Sequence, residues 1–160
     1  MARKKDVPKE MLLDGAQMTL SAFIAGTMGF LKQQNIPIKD WVSYIGEQFE
    51  GSLGEMEGEE AGKVMEHLLA LEVLPLGADI LSSQSTPDKA EARLTSLPSR
   101  IILEKFGTTP RELLSGFGVA KKEFESILSM YEPAAAAIGL KFKYQSKLDQ
   151  EILTLERVRS

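Results

Sequence analysis

The sequence holds one histidine, His67, within EHLLALEVL. Imidazole changes charge near neutral pH, so a single well-placed histidine is enough for a general base. Spacing puts no nucleophile and no orienting acid beside it, and a lone histidine next to an apolar stripe also serves as an ordinary hydrogen-bonded residue. Zinc sites built on two or three histidines are excluded. The absence of cysteine removes disulfides, thiolate nucleophiles, cysteine-ligated zinc and iron–sulfur clusters. The acidic group Glu47, Glu50, Glu55, Glu57, Glu59, Glu60 and Glu66 is the obvious place to look for a metal. A carboxylate-bridged di-iron site needs Glu-x-x-His on a buried helix face, and the residue three before His67 is Val64. An EF-hand needs alternating acids with glycine in sixth place, and no segment has that pattern. The group reads as a solvated acidic face. GSLGEMEG lacks the Lys-Ser/Thr of a phosphate loop, so nucleotide binding is rejected as a lead. No metal, no cofactor and no catalytic residue is assigned.

TPRELLSGFGVAKKEFESIL has the outline of a helix-turn-helix. Glu112, Leu113 and Leu114 lie on one helix and Phe117, Gly118 and Val119 at the turn. Phe124, Ile127 and Leu128 then point inward from a second helix. That helix would offer Ala120, Lys121, Lys122, Glu123 and Ser126 to DNA. Glu123 and Glu125 on the same helix oppose this, as does the net charge of −4 from 19 basic and 23 acidic residues. A helical hairpin packed on a sheet fits the same pattern. The methionines Met11, Met18, Met28, Met56, Met65 and Met130, with seven phenylalanines and Trp41, form a further group. They fit an ordinary core, or an apolar ligand pocket with a few orienting polar groups. Phe23, Met28, Phe30, Trp41 and His67 are its candidate lining. Arg93 and Arg100 are candidate anchors for an anion.

The elements that must position these residues can be read from periodicity and punctuation. With 160 residues and an apolar fraction of 43%, the chain fits one domain able to bury a core. Residues 1–8 read as a flexible polar tail, and 9–160 as a single domain. A long helix is expected over 9–34, and Asn35 and Pro37 close it. Its first half is amphipathic and its second half is apolar all round, which predicts burial in the domain or at a subunit interface. Helices over 39–49 and 59–71 follow, separated by a Gly/Glu-rich loop or weakly helical stretch. A β-hairpin is expected around TPDK, with Ile80, Ser82 and Gln84 on one face and Ala92, Leu94 and Ser96 on one face of its partner. Ser99 and Thr109 are expected to cap helices, and a longer helix is expected over 120–138 with a kink or split at Pro133. A strand begins at Leu140, and LDQ turns it back into a second over 152–158. The architecture predicted is α+β, with helices on one side of a small antiparallel sheet: a long N-terminal helix, a central hairpin and a C-terminal strand or hairpin.

In AFIAGTMGFL, Ala22 and Gly26 are four apart, as are Ala25 and Gly29. Small residues at that spacing let a second helix approach closely, within the domain or across a dimer. The most apolar window is shorter than a membrane span, so a soluble, cytoplasmic chain is expected.

The long first helix with AFIAGTMGFL, the hairpin ADILSSQSTPDKAEARLTSLP, the helix ELLSGFGVAKKEFESILSMY and the closing LKFKYQSKLDQEILTLERV follow one another in a telling order. It resembles the trafficking-complex (TRAPP-like) fold shared by the 4-vinyl reductase ligand-binding domains. It is also similar to the 2-amino-thiazoline carboxylate hydrolase-like proteins. Members often carry cysteines near the C-terminal strand, and this chain has none. The resemblance implies a ligand-sensing or scaffold role, usually as a homodimer, without thiol- or metal-dependent activity. The expectation is therefore a non-enzymatic, dimeric domain binding a largely apolar small molecule. The alternatives are a DNA-binding regulator using residues 109–129, and a small hydrolase using His67.

Overall fold

The computed structural model describes residues 7–158. The expected tail therefore lies outside the described residues, apart from Val7 and Pro8. Helix α1 spans Lys9–Gln33. It starts after Pro8, whose carbonyl accepts from the Leu12 amide, and it ends at Asn35, which takes a left-handed φ of 57°. Short polar links hold one side of α1 along its length. Gln17 donates to the Leu74 carbonyl at 3.1 Å, Lys105 pairs with Asp14 at 2.7 Å, and Lys32 pairs with Glu123 at 2.8 Å. Ile24, Ala25, Met28 and Gly29 are buried on that side. Phe23 and Phe30, on the opposite side, are 69% and 58% exposed. The second half of α1 is thus apolar all round but buried on one side only, because the domain supplies neighbours for a single face.

Helix α2 spans Ile38–Gln48, and the Gly/Glu-rich segment after it forms a 3-10 helix, Glu50–Met56, the weakly helical of the two expected forms. Helix α3, Ala61–Leu68, is shorter than expected. It loosens into a π-helical turn at Leu69–Val73 and a 3-10 turn at Leu74–Leu76, ending at Gly77 with φ 82°. Strands β1 (Ile80–Thr86) and β2 (Lys89–Thr95) form the expected hairpin, with Thr86 opposite Lys89 across Pro87 and Asp88. A bulge between Ile80 and Ser82 corrects the expected faces. Ile80 lies opposite Leu94, whereas Ser82 and Gln84 lie opposite Arg93 and Glu91, because an extra residue in one strand reverses the alternation.

Helix α4, Arg100–Lys105, is capped by Ser99, and α5, Pro110–Gly116, by a full Thr109–Glu112 capping box. The long helix expected over 120–138 is instead α6 (Lys121–Glu125), a 3-10 turn (Ser126–Met130) and α7 (Tyr131–Ala137). The break falls before Pro133, which sits in the first turn of α7, where a missing N–H is tolerated. Strands β3 (Leu140–Lys147) and β4 (Gln150–Arg157) close the chain. The sheet is antiparallel throughout, in the order β1-β2-β4-β3. Ala90, Ala92, Leu94, Leu153, Leu155, Leu140 and Phe142 are buried on its inner face, against α3, α7 and the 3-10 turn before α7. The α+β architecture expected from the sequence is the one found. Among the described residues no helix is long and apolar enough to cross a membrane.

Candidate functional site

Three chain segments meet at one end of the sheet. The first leaves β2 at Thr95, passes Ser96 and Ser99, and enters α4 at Arg100. The second is α5 and the turn into α6, from Pro110 to Lys121. The third is the β3–β4 turn at Asp149, joined to the first by the Ser96 amide, which donates to the Asp149 carbonyl at 3.0 Å. They enclose a cleft of about 520 Å³. That is within the range of small-molecule sites. Ile101, Pro110, Leu114 and Val119 supply an apolar wall, and Thr95, Ser96, Ser99 and Ser115 supply hydroxyls. Three cationic side chains, Arg100, Arg111 and Lys121, border it with one acid, Asp149. Arg100 is held by Glu104 at 2.6 Å, whereas Arg111 makes no ion pair among the described residues.

Local sequence explains each placement. The Thr109 hydroxyl accepts from the Glu112 amide, and the Glu112 carboxylate accepts from the Thr109 amide at 2.9 Å. This box fixes the start of α5 and so the position of Arg111. Gly118, with φ 68°, turns the chain between α5 and α6. Glu123 then accepts from the Ala120 amide at 2.7 Å and sets the start of α6 at Lys121. That amide and the Lys32 ammonium hold the Glu123 carboxyl below its ordinary value.

Lys121, at the cleft's border, also reaches the β3–β4 hairpin. Its ammonium pairs with Glu125 at 3.0 Å and donates to the Leu148 carbonyl at 3.3 Å. Glu125 is buried, and so is Glu151, on β4. The Ser146 hydroxyl, on β3, lies between their carboxyls, 3.1 Å from Glu125 Oε1 and 3.2 Å from Glu151 Oε1. Glu151 Oε2 has no hydrogen-bond partner. Burial, then the neighbouring Glu125 carboxyl, push the Glu151 carboxyl up to about 8, against the opposing pull of Lys121 and Ser146. Tyr144, next on the same face of β3, is raised by burial and by Glu132, Glu125 and Glu151.

The candidate residues singled out from sequence are scattered. Arg100 borders the cleft. Arg93 lies on the outer sheet face, paired with Glu91 at 3.3 Å. Met28 is fully buried in the core, and Trp41 packs half-buried against it. Phe23 and Phe30 are exposed on α1. His67 is half-buried on α3 and lines neither the cleft nor a smaller hollow of about 230 Å³ between α3 and β1. Gly26 and Gly29 lie against Phe117, at the end of α5. Ala25 is buried beside them, and Ala22 is half-buried. In the segment 109–129, α6 has five residues, and Phe124 and Glu125 face inward, which leaves little free helix for a DNA groove. Among the described residues no cluster of three or more metal-ligating side chains occurs.

The buried carboxyl pair escaped the sequence reading, although a signal for it existed. In EILTL, Glu151, Leu153 and Leu155 share one face of β4, so a strand begun one residue earlier puts a carboxyl in an apolar row. No protein-family model matches the chain, and no curated protein matches its sequence.

Proposed function

We propose that the protein is a non-enzymatic binding domain for a small organic anion with an apolar body, held in the cleft between α4, α5, α6 and the β3–β4 turn. The observation that carries this is the composition of the cleft: Arg100, Arg111 and Lys121 at its border, hydroxyls within reach, and Ile101, Pro110, Leu114 and Val119 as its wall. Guanidinium groups recognise carboxylate, sulfonate or phosphate oxygens through directed, charge-assisted bonds, and the wall takes the apolar body. The ligand expected from sequence was largely apolar. The cleft favours one with an anionic head, and Arg100, of the two candidate anchors, lies at its border. The resemblance to 4-vinyl reductase ligand-binding domains points to the same kind of role.

Titration calorimetry with hexanesulfonate tests this, with hexanol as the uncharged control. Hexanesulfonate should bind and hexanol should not. Arg111→Ala should weaken binding about tenfold, the effect of losing one hydrogen bond to a charged group. Equal binding of both compounds, or no effect of Arg111→Ala, would refute the assignment.

A second observation favours a homodimer formed through α1. Leu12, Leu13, Leu20, Phe23 and Phe30 are each at least 36% exposed. No charged residue occurs from 15 to 31. Together these side chains expose on the order of 500 Å² of apolar surface, toward the upper end of the largest patch on a typical monomer. A stable dimer buries about 800 Å² per partner, roughly two-thirds of it apolar. A second copy of α1 matches that requirement, and a closed two-fold pair would cover both stripes at once.

A further inference from the structure

We propose that the cleft takes up its anion together with a proton, and that the proton is held by the Glu125–Ser146–Glu151 group behind Lys121. The proposal rests on the anion-binding reading of the cleft and adds its coupling to pH.

The geometry favours a proton in this group. The Ser146 hydroxyl has one hydrogen, yet carboxyl oxygens lie on both sides of it at 3.1 and 3.2 Å. An ionised carboxylate only accepts, so two full hydrogen bonds form here when one carboxyl is protonated and donates to the serine, whereas two carboxylates would have to share the single hydroxyl hydrogen. The unpartnered Glu151 Oε2 points the same way, because a fully buried carboxylate oxygen without a donor is costly as an anion and far less so as a neutral acid. One ammonium, Lys121, reaches this group, and it balances one negative charge rather than two. The raised carboxyl of Glu151 agrees with this count.

Lys121 is also the link to the ligand, since it borders the cleft and pairs with Glu125 at 3.0 Å. An anion placed at Lys121 faces one carboxylate charge while the proton is present and two once it has left. It therefore binds the protonated form more tightly, and by reciprocity its arrival holds the proton more firmly. The other groups around the pair do not reproduce this behaviour. Leu94 faces Glu151 from β2, and the 3-10 turn Ser126–Met130 contributes no titratable side chain. Tyr144 is shifted upward, away from the range concerned. Asp149 lies at the cleft's border, where its carbonyl accepts from the Ser96 amide.

The test uses hexanesulfonate, whose charge does not change with pH, in titration calorimetry at about pH 7 and about pH 9.5. Wild-type Kd should rise about tenfold between them, within the usual range of coupling between sites. At about pH 8.5, parallel titrations in buffers of different ionisation enthalpy should show net proton uptake by the protein. Glu151→Gln, a neutral mimic of the protonated acid, should keep its affinity through the upper pH. A pH-independent wild-type Kd without proton uptake overturns the coupling and leaves the cleft assignment standing. An unchanged pH profile in Glu151→Gln overturns the assignment of the proton to this group. Absence of binding at both pH values overturns the cleft assignment itself. If Glu151→Gln does not fold, the wild-type proton uptake decides the coupling alone.

Discussion

Glu151 occupies an inward strand position in a row that Leu153 and Leu155 continue with leucine side chains. Its carboxyl is raised from an ordinary 4.5 to about 8. Between those values the folded chain keeps a proton that the unfolded chain has lost. Folding stability therefore falls as pH rises through this window, by up to about 1.4 kcal/mol per pH unit. Glu151→Gln should flatten that slope in urea denaturation at about pH 5 and about pH 8. Equal slopes in both proteins would count against a shifted carboxyl at this position. A second residue-scale prediction concerns α1. A Cβ on Gly29 would overlap the Phe117 carbonyl oxygen, which is backbone, whereas one on Gly26 would meet the Phe117 ring edge at 3.3 Å. Gly29→Ala should cost about 1–3 kcal/mol through overpacking, and Gly26→Ala less, because a ring edge yields more easily than a carbonyl. Reversal of that order in the denaturation midpoints would show that α1 and α5 are not packed in this way.

At the scale of elements, α5 depends on its capping box more than on burial, since Leu114 is the buried residue among its seven. Thr109→Ala should cost about 1 kcal/mol with an unchanged denaturant slope. It should also weaken hexanesulfonate binding, because the box sets the position of Arg111 in the cleft. An unaltered Kd would mean that Arg111 does not need α5 to be fixed. The same box was legible in the sequence as Thr-Pro-Arg-Glu, since a cap is made between residues three apart. The hairpin turn at Pro87 and Asp88 and the stop at Gly139 were legible for the same reason. The bulge near Ile80 was not, because it arises from pairing with β2. Nor was the break at Ser126–Met130, where packing against β3 and α2 overrides a continuous helical pattern.

For the whole molecule, the unpartnered stripe of α1 gives the clearest prediction. Phe23→Glu with Phe30→Glu should turn a dimer into a folded monomer in sedimentation velocity, with little loss of helicity. Both residues are more than half exposed and are not needed by the core. A wild-type protein that sediments as a monomer at micromolar concentration would refute the dimer.

The sequence alone determined the α+β class, the hairpins, most helix ends and the exclusion of cysteine and multi-histidine chemistry. These follow from alternation, capping and composition, which act over a few residues and leave their mark in order along the chain. It also offered Arg100 as a candidate anion anchor, though it grouped that residue with Arg93, which the register of β2 sends to the outer face of the sheet. Only the tertiary structure decided that Arg100, Arg111, Lys121 and Asp149 border one cleft. It alone brought Glu125 and Glu151 to the same serine. Those residues lie far apart in the chain. They meet because the strand order β1-β2-β4-β3 brings the β3–β4 turn beside the end of β2, and α6 packs across it. That convergence depends on which strands pair and which helices cover them, and no local pattern records it.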